Sequence, residues 1–340
     1  MKNEGLSIVM TTYNGQRTLE KCLSLFFSQD YLEDNRKGVE FIIMDGGSTD
    51  KTLEIIKKYQ KNHPGIIKLF NNPKKQKIGK GAGADLGTKK AKGKFLLLID
   101  QDNLLIQKEW LGKMIDILIR NPEISCVQSR MVVPEKGNLT EKYLGAIGIE
   151  DPFAVPYCLN SQITLNPKRF RYNKKEEYYE YLINKDNFFY AGDNGFLIRK
   201  KDFDENKGYT QDIDNFYRMA LSGKKYKVAV PKNLRIFHHT SSSFIDMIKK
   251  RGYYVRFYLL KNIQNRDFYW FNLEKNTLKQ NLKFLENILF NLLIFPSIID
   301  GISMSIKEKK VFWLVHPFMM FAITMNYLLS FSYAKIFKKI

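Results

Sequence analysis

Residues 92–103 read KGKFLLLIDQDN, and this stretch decides the fold. Phe95-Leu-Leu-Leu-Ile99 is a continuous apolar run, preceded by Gly93 and closed by Asp100 and Asp102. Five apolar residues between such breakers read as a strand buried on both faces, as in the middle of a parallel sheet. The carboxylates that follow have to leave the core at the strand's carboxyl end. The flanking segments repeat the rhythm. Leu6–Thr12, Val39–Met44, Ile66–Phe70 and Cys126–Val132 read as further strands. Between them Thr18–Gln29, Asp50–Asn62, Ala82–Ala91 and Lys108–Arg120 carry helical spacing, the first with Leu19, Cys22, Leu23 and Phe26 on one face. Strands joined by single helices imply right-handed crossovers and a sheet covered on both sides. The fold class is α/β, a doubly wound, mostly parallel sheet.

Sheets of this kind gather their chemistry on the loops beyond the carboxyl ends of the strands. Those loops are Thr12-Tyr13-Asn14, Asp45-Gly46-Gly47-Ser48 and Asp100-Gln101-Asp102, so all three open onto one edge. Three carboxylates converging there are costly unless a cation or a ligand's donors offset them. Two of them at i and i+2, Asp100 and Asp102, can share a hard divalent cation and leave positions open for phosphate oxygens. The glycine-rich run Gly79–Gly87 (GKGAGADLG) fits neither a P-loop nor a dinucleotide fingerprint.

The chain has 340 residues, with 55 Lys+Arg against 35 Asp+Glu and a formal net charge of +20. Residues 1–150 hold 24 basic and 18 acidic side chains; residues 151–340 hold 31 and 17. The excess lies where the long apolar stretches also lie, which favours an anionic membrane surface over nucleic acid. No nucleic-acid-binding signature accompanies the charge. Cys22, Cys126 and Cys158 make no disulfide framework or metal spacing, as in a reducing compartment. Met1–Gly5 leads straight into the first strand, so no secretory signal is expected.

From about residue 150 the β/α rhythm stops. Gly192-Asp193-Asn194-Gly195 is a turn before the strand Phe196–Ile198, Asp212–Leu221 reads as a helix, and Val228–Val230 and Ile236–His239 as strands. Phe284–Ile306 is apolar but broken by Glu286, Asn287, Asn291, Pro296 and Asp300, whereas Val311–Phe331 holds no Asp, Glu, Lys or Arg. The basic flanks Lys307–Lys310 and Lys335–Lys339 disfavour a two-span hairpin and suit segments lying in one leaflet at the cytoplasmic face. A single span, a buried core hairpin and a dimer interface are the other readings. The expected organisation is one domain over 1–245 and a helical, membrane-associated region over 246–340.

Four motifs occur in order: LSIVMTTYN (Leu6–Asn14), FIIMDGGSTD (Phe41–Asp50), KGKFLLLIDQDN (Lys92–Asn103) and QDIDNFYRM (Gln211–Met219). Together they resemble the large family of inverting glycosyltransferases with the GT-A fold, family 2, over roughly residues 5–245. The resemblance implies a Rossmann-like domain, with a nucleotide-sugar-binding half over 1–130 and an acceptor and catalytic half over 131–245. It implies that Thr12, Tyr13 and Asn14 line the nucleotide pocket and that Asp45 accepts hydrogen bonds from the base. Asp100, with Gln101 beside it, would touch the ribose or the metal's shell, and Asp102 would hold Mg²⁺ or Mn²⁺ on the diphosphate. Asp212 matches the family's general base, with Gln211 in place of the usual Glu before it and Asp214 as the fallback. Arg218 would support phosphate or the base. Gly192, Asp193 and Asn194 would contact the diphosphate or the acceptor sugar, and His238, favoured over His239, would complete the metal site. The family's Ala-Arg-Asn is replaced by Gly83-Ala84-Asp85, leaving Lys80 as a substitute point charge.

The implied activity is metal-dependent, inverting transfer from a UDP- or GDP-sugar to a hydroxyl of a lipid-linked or cell-surface glycan. The polymer-synthase motif Gln-x-x-Arg-Trp is missing after Asp212, where Arg251-Gly-Tyr-Tyr-Val-Arg256 stands, so transfer of single sugars is expected. A polyprenyl-phosphate sugar synthase is the alternative within the family. Outside it stand a sugar-1-phosphate nucleotidyltransferase and a non-catalytic, basic nucleic-acid-binding protein.

Overall fold

The computed structural model describes residues 5–35, 38–72, 81–133, 136–148, 151–157, 171–185, 188–192, 194–210, 212–238, 243–256, 267–268 and 277–336. Within them the chain divides into two compact units. One comprises Met1–Val132 with Ile163–His238, the other Val133–Gln162 with His239–Ile340. The sequence places one boundary at residue 245; the structure returns the chain seven residues earlier and groups residues 133–162 with the C-terminal helices.

The strands of the first unit are β1 (Leu6–Thr12), β2 (Val39–Asp45), β3 (Ile67–Asn71), β4 (Phe95–Asp100), β5 (Asn103–Leu104), β6 (Cys126–Gln128), β7 (Arg130–Val132), β8 (Asn173–Lys174), β9 (Tyr178–Leu182), β10 (Phe196–Arg199), β11 (Lys227–Pro231) and β12 (Arg235–His238). Among the described residues they form a nine-stranded sheet, ordered β3-β2-β1-β4-β10-β6-β11-β9-β8, and a three-stranded sheet, β5-β12-β7. In the large sheet only β9 and β10 run against the rest. The expected doubly wound, mostly parallel sheet is therefore present.

Alternation along the central strands shows why both faces must be covered. Ile8 and Met10 of β1 and Phe95, Leu97 and Ile99 of β4 pack with Leu19, Phe26, Ile56 and Trp110. Val9, Leu96 and Leu98 point the other way, into a cluster with Ala84, Phe216 and Met219. Helices Leu19–Phe27, Thr52–Asn62 and Trp110–Arg120 thus cover one face, and Gly81–Lys90 and Asp212–Leu221 the other. The glycine-rich run owes its composition to this packing. A Cβ on Gly87 would stand 2.6 Å from Val9 Cγ1, so only glycine lets its helix lie that close to the sheet.

Two features differ from the sequence-based expectation. The expected strand Cys126–Val132 is two: it breaks at Ser129, β6 joins the large sheet and β7 the small one. The aromatic stretch around Tyr178 is strand β9, where buried Glu180 meets Lys227 of β11 at 3.2 Å. A glutamate in the middle of such a strand hides its pattern, and the cross-strand lysine that makes it tolerable is 47 residues away in sequence.

The second unit is helical, with Leu139–Ile147, Phe244–Tyr254, Leu278–Leu292, Phe295–Glu308 and His316–Ile336. Its core holds Tyr143, Phe153, Met247, Trp313, Met319, Ile323 and Tyr327. Asn138, within an Asn-Leu-Thr sequon, caps the first helix: its side chain accepts from Glu141 N at 2.9 Å, and Asn138 N donates to the Glu141 carboxylate at 3.1 Å.

Candidate active site

The register of the parallel strands builds the floor of the site. Thr12 pairs with Asp45 across β1 and β2, and Thr11 with Asp100 across β1 and β4, so the three loops leave the sheet at one level. Gln101 ties two of them together. Its Oε1 accepts from Thr12 Oγ1 at 2.6 Å and from Tyr13 N at 3.2 Å, and its Nε2 donates to Tyr13 O at 3.3 Å. Gly15 is the residue this arrangement requires, since a Cβ there would lie 2.4 Å from Gln101 Oε1. Asn14, in the left-handed region at φ 47°, accepts from Thr49 N at 2.9 Å, while its own N donates to Ser48 Oγ at 3.0 Å. Buried Asp45 accepts from Gly47 N at 2.9 Å, Ser48 N at 3.1 Å and Ser48 Oγ at 2.6 Å. Its carboxylate is thereby oriented by its own loop.

The small sheet supplies what the large one cannot. Residue pairing in β5 and β12 sets His238 opposite Asn103, next in chain to Asp102. His238 Nε2 lies 3.3 Å from Asp102 Oδ1; the histidine is buried and the aspartate half-buried. Among the described residues no group of three or more His, Cys, Asp and Glu forms a complete metal cage. The donor types of the pair fit a divalent ion all the same, because carboxylate and imidazole are both ligands for Mn²⁺ and a bound phosphate group would supply further oxygens. Behind the pair, Cys22 Sγ donates to Asp100 O at 3.8 Å. Burial, then the charges of Asp102 and Asp100, push its thiol well up.

The turn at residues 192–195 is fastened to the same place. Asn103 Nδ2 donates to Asn194 Oδ1 at 2.8 Å, and Asp100 N donates to Asn103 Oδ1 at 2.9 Å. Gln128, at the end of β6, accepts from Gly192 N at 3.1 Å. Asn194 and Gly195 both take positive φ, 45° and 86°. Helix Asp212–Leu221 begins at Asp212, and its first turns hold the loop before it. Asn215 Nδ2 donates to the carbonyls of Phe203, Asn206 and Gly208, and Arg218 to those of Asn206 at 2.7 Å and Gly208 at 2.8 Å and to Thr210 Oγ1 at 3.1 Å. These bonds tie the Arg218 guanidinium to the loop that precedes Asp212. Asp214, the fallback base, is fully buried.

Thr12, Tyr13, Asn14, Asp45, Asp100, Gln101, Asp102 and His238 are thus assembled at the carboxyl edge of the sheets, with Gly192 and Asn194 fastened there. Lys80, Asp193, His239 and the side chain of Asp212 lie outside the described residues. Asn103, Gln128 and Asn215 are additions to the expected set. Asn103 and Asn215 sit inside motifs already quoted, so a local signal existed; Gln128 acts through Gly192, 64 residues on.

The sequence model of Glycosyl transferase family 2 matches residues 7–207. The chain belongs to that family. Relatives of this glycosyltransferase include an uncharacterized glycosyltransferase of Methanocaldococcus jannaschii, 23% identical over 90% of this chain and 94% of its own. The Escherichia coli UDP-Glc:alpha-D-GlcNAc-diphosphoundecaprenol beta-1,3-glucosyltransferase is 25% identical over 79% of this chain and 98% of its own. A Methanococcus voltae dolichyl N-acetyl-alpha-D-glucosaminyl phosphate 3-beta-D-2,3-diacetamido-2,3-dideoxy-beta-D-glucuronosyltransferase is 38% identical, but the match spans only 27% of each chain. Among solved structures, a Pyrobaculum calidifontis mannosyltransferase in complex with GDP-Man and Mn²⁺ superposes with a TM-score of 0.54 at 13% identity, over 95% of this chain and 86% of its own. S. aureus TarS in complex with UDP gives 0.51 at 16%, over 97% and 91%. These likenesses establish the GT-A fold.

Proposed function

We propose that the protein is a metal-dependent, inverting glycosyltransferase. It moves one sugar from a UDP- or GDP-sugar to a hydroxyl of a lipid-linked or cell-surface glycan at the cytoplasmic face of the membrane. The observation that carries the reading is the pairing of Asp102 with His238 at 3.3 Å, beside the loops of Thr12, Asp45 and Gln101. Mg²⁺ or Mn²⁺ held by this pair would offset the charge that develops on the departing nucleoside diphosphate. Asp45 and the Thr12-Tyr13-Asn14 loop are assigned to the nucleoside, and Gln101 keeps that loop in register with the metal residues. Asp100 is assigned to the ribose or to the metal's shell. Gly192, Asp193 and Asn194 take the diphosphate or the acceptor sugar, with Lys80 as a further charge for the donor. Asp212 is assigned the proton of the acceptor hydroxyl, since inversion needs one base opposite the leaving group. Arg218 and Asn215 hold the loop that leads to it. The lipid-linked acceptors in the names of the relatives, together with the apolar C-terminal helices, support the acceptor class and the membrane site.

Purified protein is to be screened by thermal shift and donor hydrolysis against UDP- and GDP-sugars, with and without Mn²⁺. One donor should stabilise it in a Mn²⁺-dependent manner, and Asp102→Ala should abolish that dependence. Absence of any nucleotide-sugar binding or hydrolysis, with Asp102→Ala indistinguishable from the parent, would overturn the assignment. A saturating ligand at about a hundred times its Kd adds about 2.7 kcal/mol, well within reach of the method.

A further inference from the structure

The helical unit carries two apolar stripes that no described residue covers. Along Leu278–Leu292 the exposed residues Leu278, Leu282, Leu285 and Leu289 recur at helical spacing, and Leu293 continues the row. Along Phe295–Glu308 the same spacing exposes Phe295, Ile299, Ile302 and Ile306. The residues at the junction are among the most exposed, Leu293 at 69% and Phe295 at 68%. Stripes on this scale mark a binding surface rather than ordinary apolar exposure. The two helices meet at 79°, at Ile294 with φ 57° followed by Pro296. With 15 and 14 residues, the arms are only ~22 and ~21 Å long against ~30 Å for a bilayer's hydrocarbon core. Neither arm spans a bilayer. Exposed Lys279 and Lys283 lie on the first arm, and exposed Lys307, Lys309 and Lys310 at and beyond the end of the second.

Helix His316–Ile336 is, with the turn before it, long and apolar enough to cross a membrane, yet three polar side chains in it, those of His316, Asn326 and Tyr327, bond to protein. Tyr143 Oη lies 2.8 Å from His316 Nδ1, Asn326 Nδ2 donates to Ile248 O at 2.6 Å, and Tyr327 Oη donates to the buried carboxylate of Asp151. Arg251 Nη1 stands 4.0 Å from that carboxylate. The partner segment Phe244–Tyr254 is 11 residues long and exposes Lys249 and Lys250, so it cannot lie in hydrocarbon beside the middle of a span.

We infer that the unit is monotopic: the bent pair Leu278–Leu292 and Phe295–Glu308 inserts its apolar stripes into one leaflet of an anionic bilayer, and His316–Ile336 is the unit's core helix. The charges beside the stripes choose the occupant: exposed Lys279, Lys283, Lys307, Lys309 and Lys310 outnumber exposed Glu286, Asp300 and Glu308, and anionic headgroups complement that surplus. The inference rests on the membrane part of the proposed function and specifies its surface.

The full chain is to be floated with phosphatidylglycerol-containing vesicles and with neutral phosphatidylcholine vesicles. The parent should float with the former. The double variant Leu289→Asp, Ile302→Asp should lose about tenfold or more of the floated fraction, because membrane affinity follows inserted apolar area. Both positions are solvent-exposed, so its melting temperature and its donor hydrolysis in solution should stay unchanged. A parent that hydrolyses donor but does not float, or a double variant that floats like the parent, overturns the inference and leaves the catalytic assignment standing. A parent that is dimeric in light scattering, and monomeric as the double variant, with no flotation, overturns it in favour of self-association. For topology, Lys310→Cys and Ser332→Cys are to be probed with a membrane-impermeant maleimide on intact spheroplasts. A monotopic chain reacts at neither position until lysis; external labelling of either overturns the inference.

Discussion

The two units of this glycosyltransferase treat polarity in opposite ways. In the sheet unit, apolar side chains fill both faces of the central strands, and the hydrogen-bonded loops of Thr12, Asp45 and Gln101 lie at their carboxyl ends. In the helical unit, hydrogen-bonded groups lie inside, among them Asp151, Tyr143 and Tyr327, and leucines and isoleucines lie outside. The sheet unit follows the ordinary logic of a protein surrounded by water. The helical unit exposes apolar stripes, while its own core adds directional bonds to apolar packing. The same chain thus gathers polar groups at the strand ends of one unit and leaves apolar stripes exposed on the other.

The largest expected effect breaks the catalytic side of this contrast. Asp212→Asn should lower turnover by about 10²–10⁴-fold, the usual contribution of a general base, with donor binding intact. Steady-state kinetics beside titration of the nucleotide checks this, and unchanged turnover would move the base to Asp214. Next is the interior of the helical unit. Asp151→Asn should lower stability by about 3 kcal/mol, since Arg251 and Tyr327 then lose their buried charged partner. Urea denaturation measures it, and a neutral result would mean that the buried polarity of this unit is incidental.

A smaller effect belongs to the join between loops. Gln101→Ala removes three hydrogen bonds to Thr12 and Tyr13, so the donor KM should rise about fivefold, roughly 1 kcal/mol, with kcat little changed. A fall in kcat alone would show that Gln101 serves the metal residues and not the nucleotide loop. The smallest is a pH effect at the sheet's amino edge. Burial raises the Glu40 carboxyl, but Lys68, Ser7 and Lys92 N outweigh it and hold the group below its ordinary range. A depressed carboxylate contributes stability that is complete above its unfolded value, near pH ~4.3, and is lost as pH falls through the folded one. Glu40→Gln should therefore melt lower than the parent at pH 7, and the gap should close at strongly acid pH. A gap constant with pH would assign the effect to packing.

Legibility in the sequence divides along the same line. The parallel core was readable because runs such as Phe95–Ile99 carry their own signal, and a buried strand has to end where its carboxylates begin. The small sheet was not. It exists because the strand after Cys126 changes sheets at Ser129, and nothing in the local pattern Cys126–Val132 marks that break. Likewise His238 was legible as a residue type after a strand, while its place opposite Asn103 belongs to the pairing of segments 135 residues apart. In the C-terminal region the sequence offered several readings for one apolar pattern, because hydropathy records how apolar a helix is and not which face is covered.

The sequence by itself determined the strand–helix rhythm, the carboxylates at the strand ends and the family, since each is written in a short contiguous stretch. Tertiary structure alone decided that Asp102 meets His238, that Gln101 couples two loops, and that residues 133–162 join the C-terminal helices. The physical reason is that a side chain's preference for burial or exposure is local, whereas the partner that satisfies its hydrogen bonds or its charge is chosen by register and packing across the whole chain.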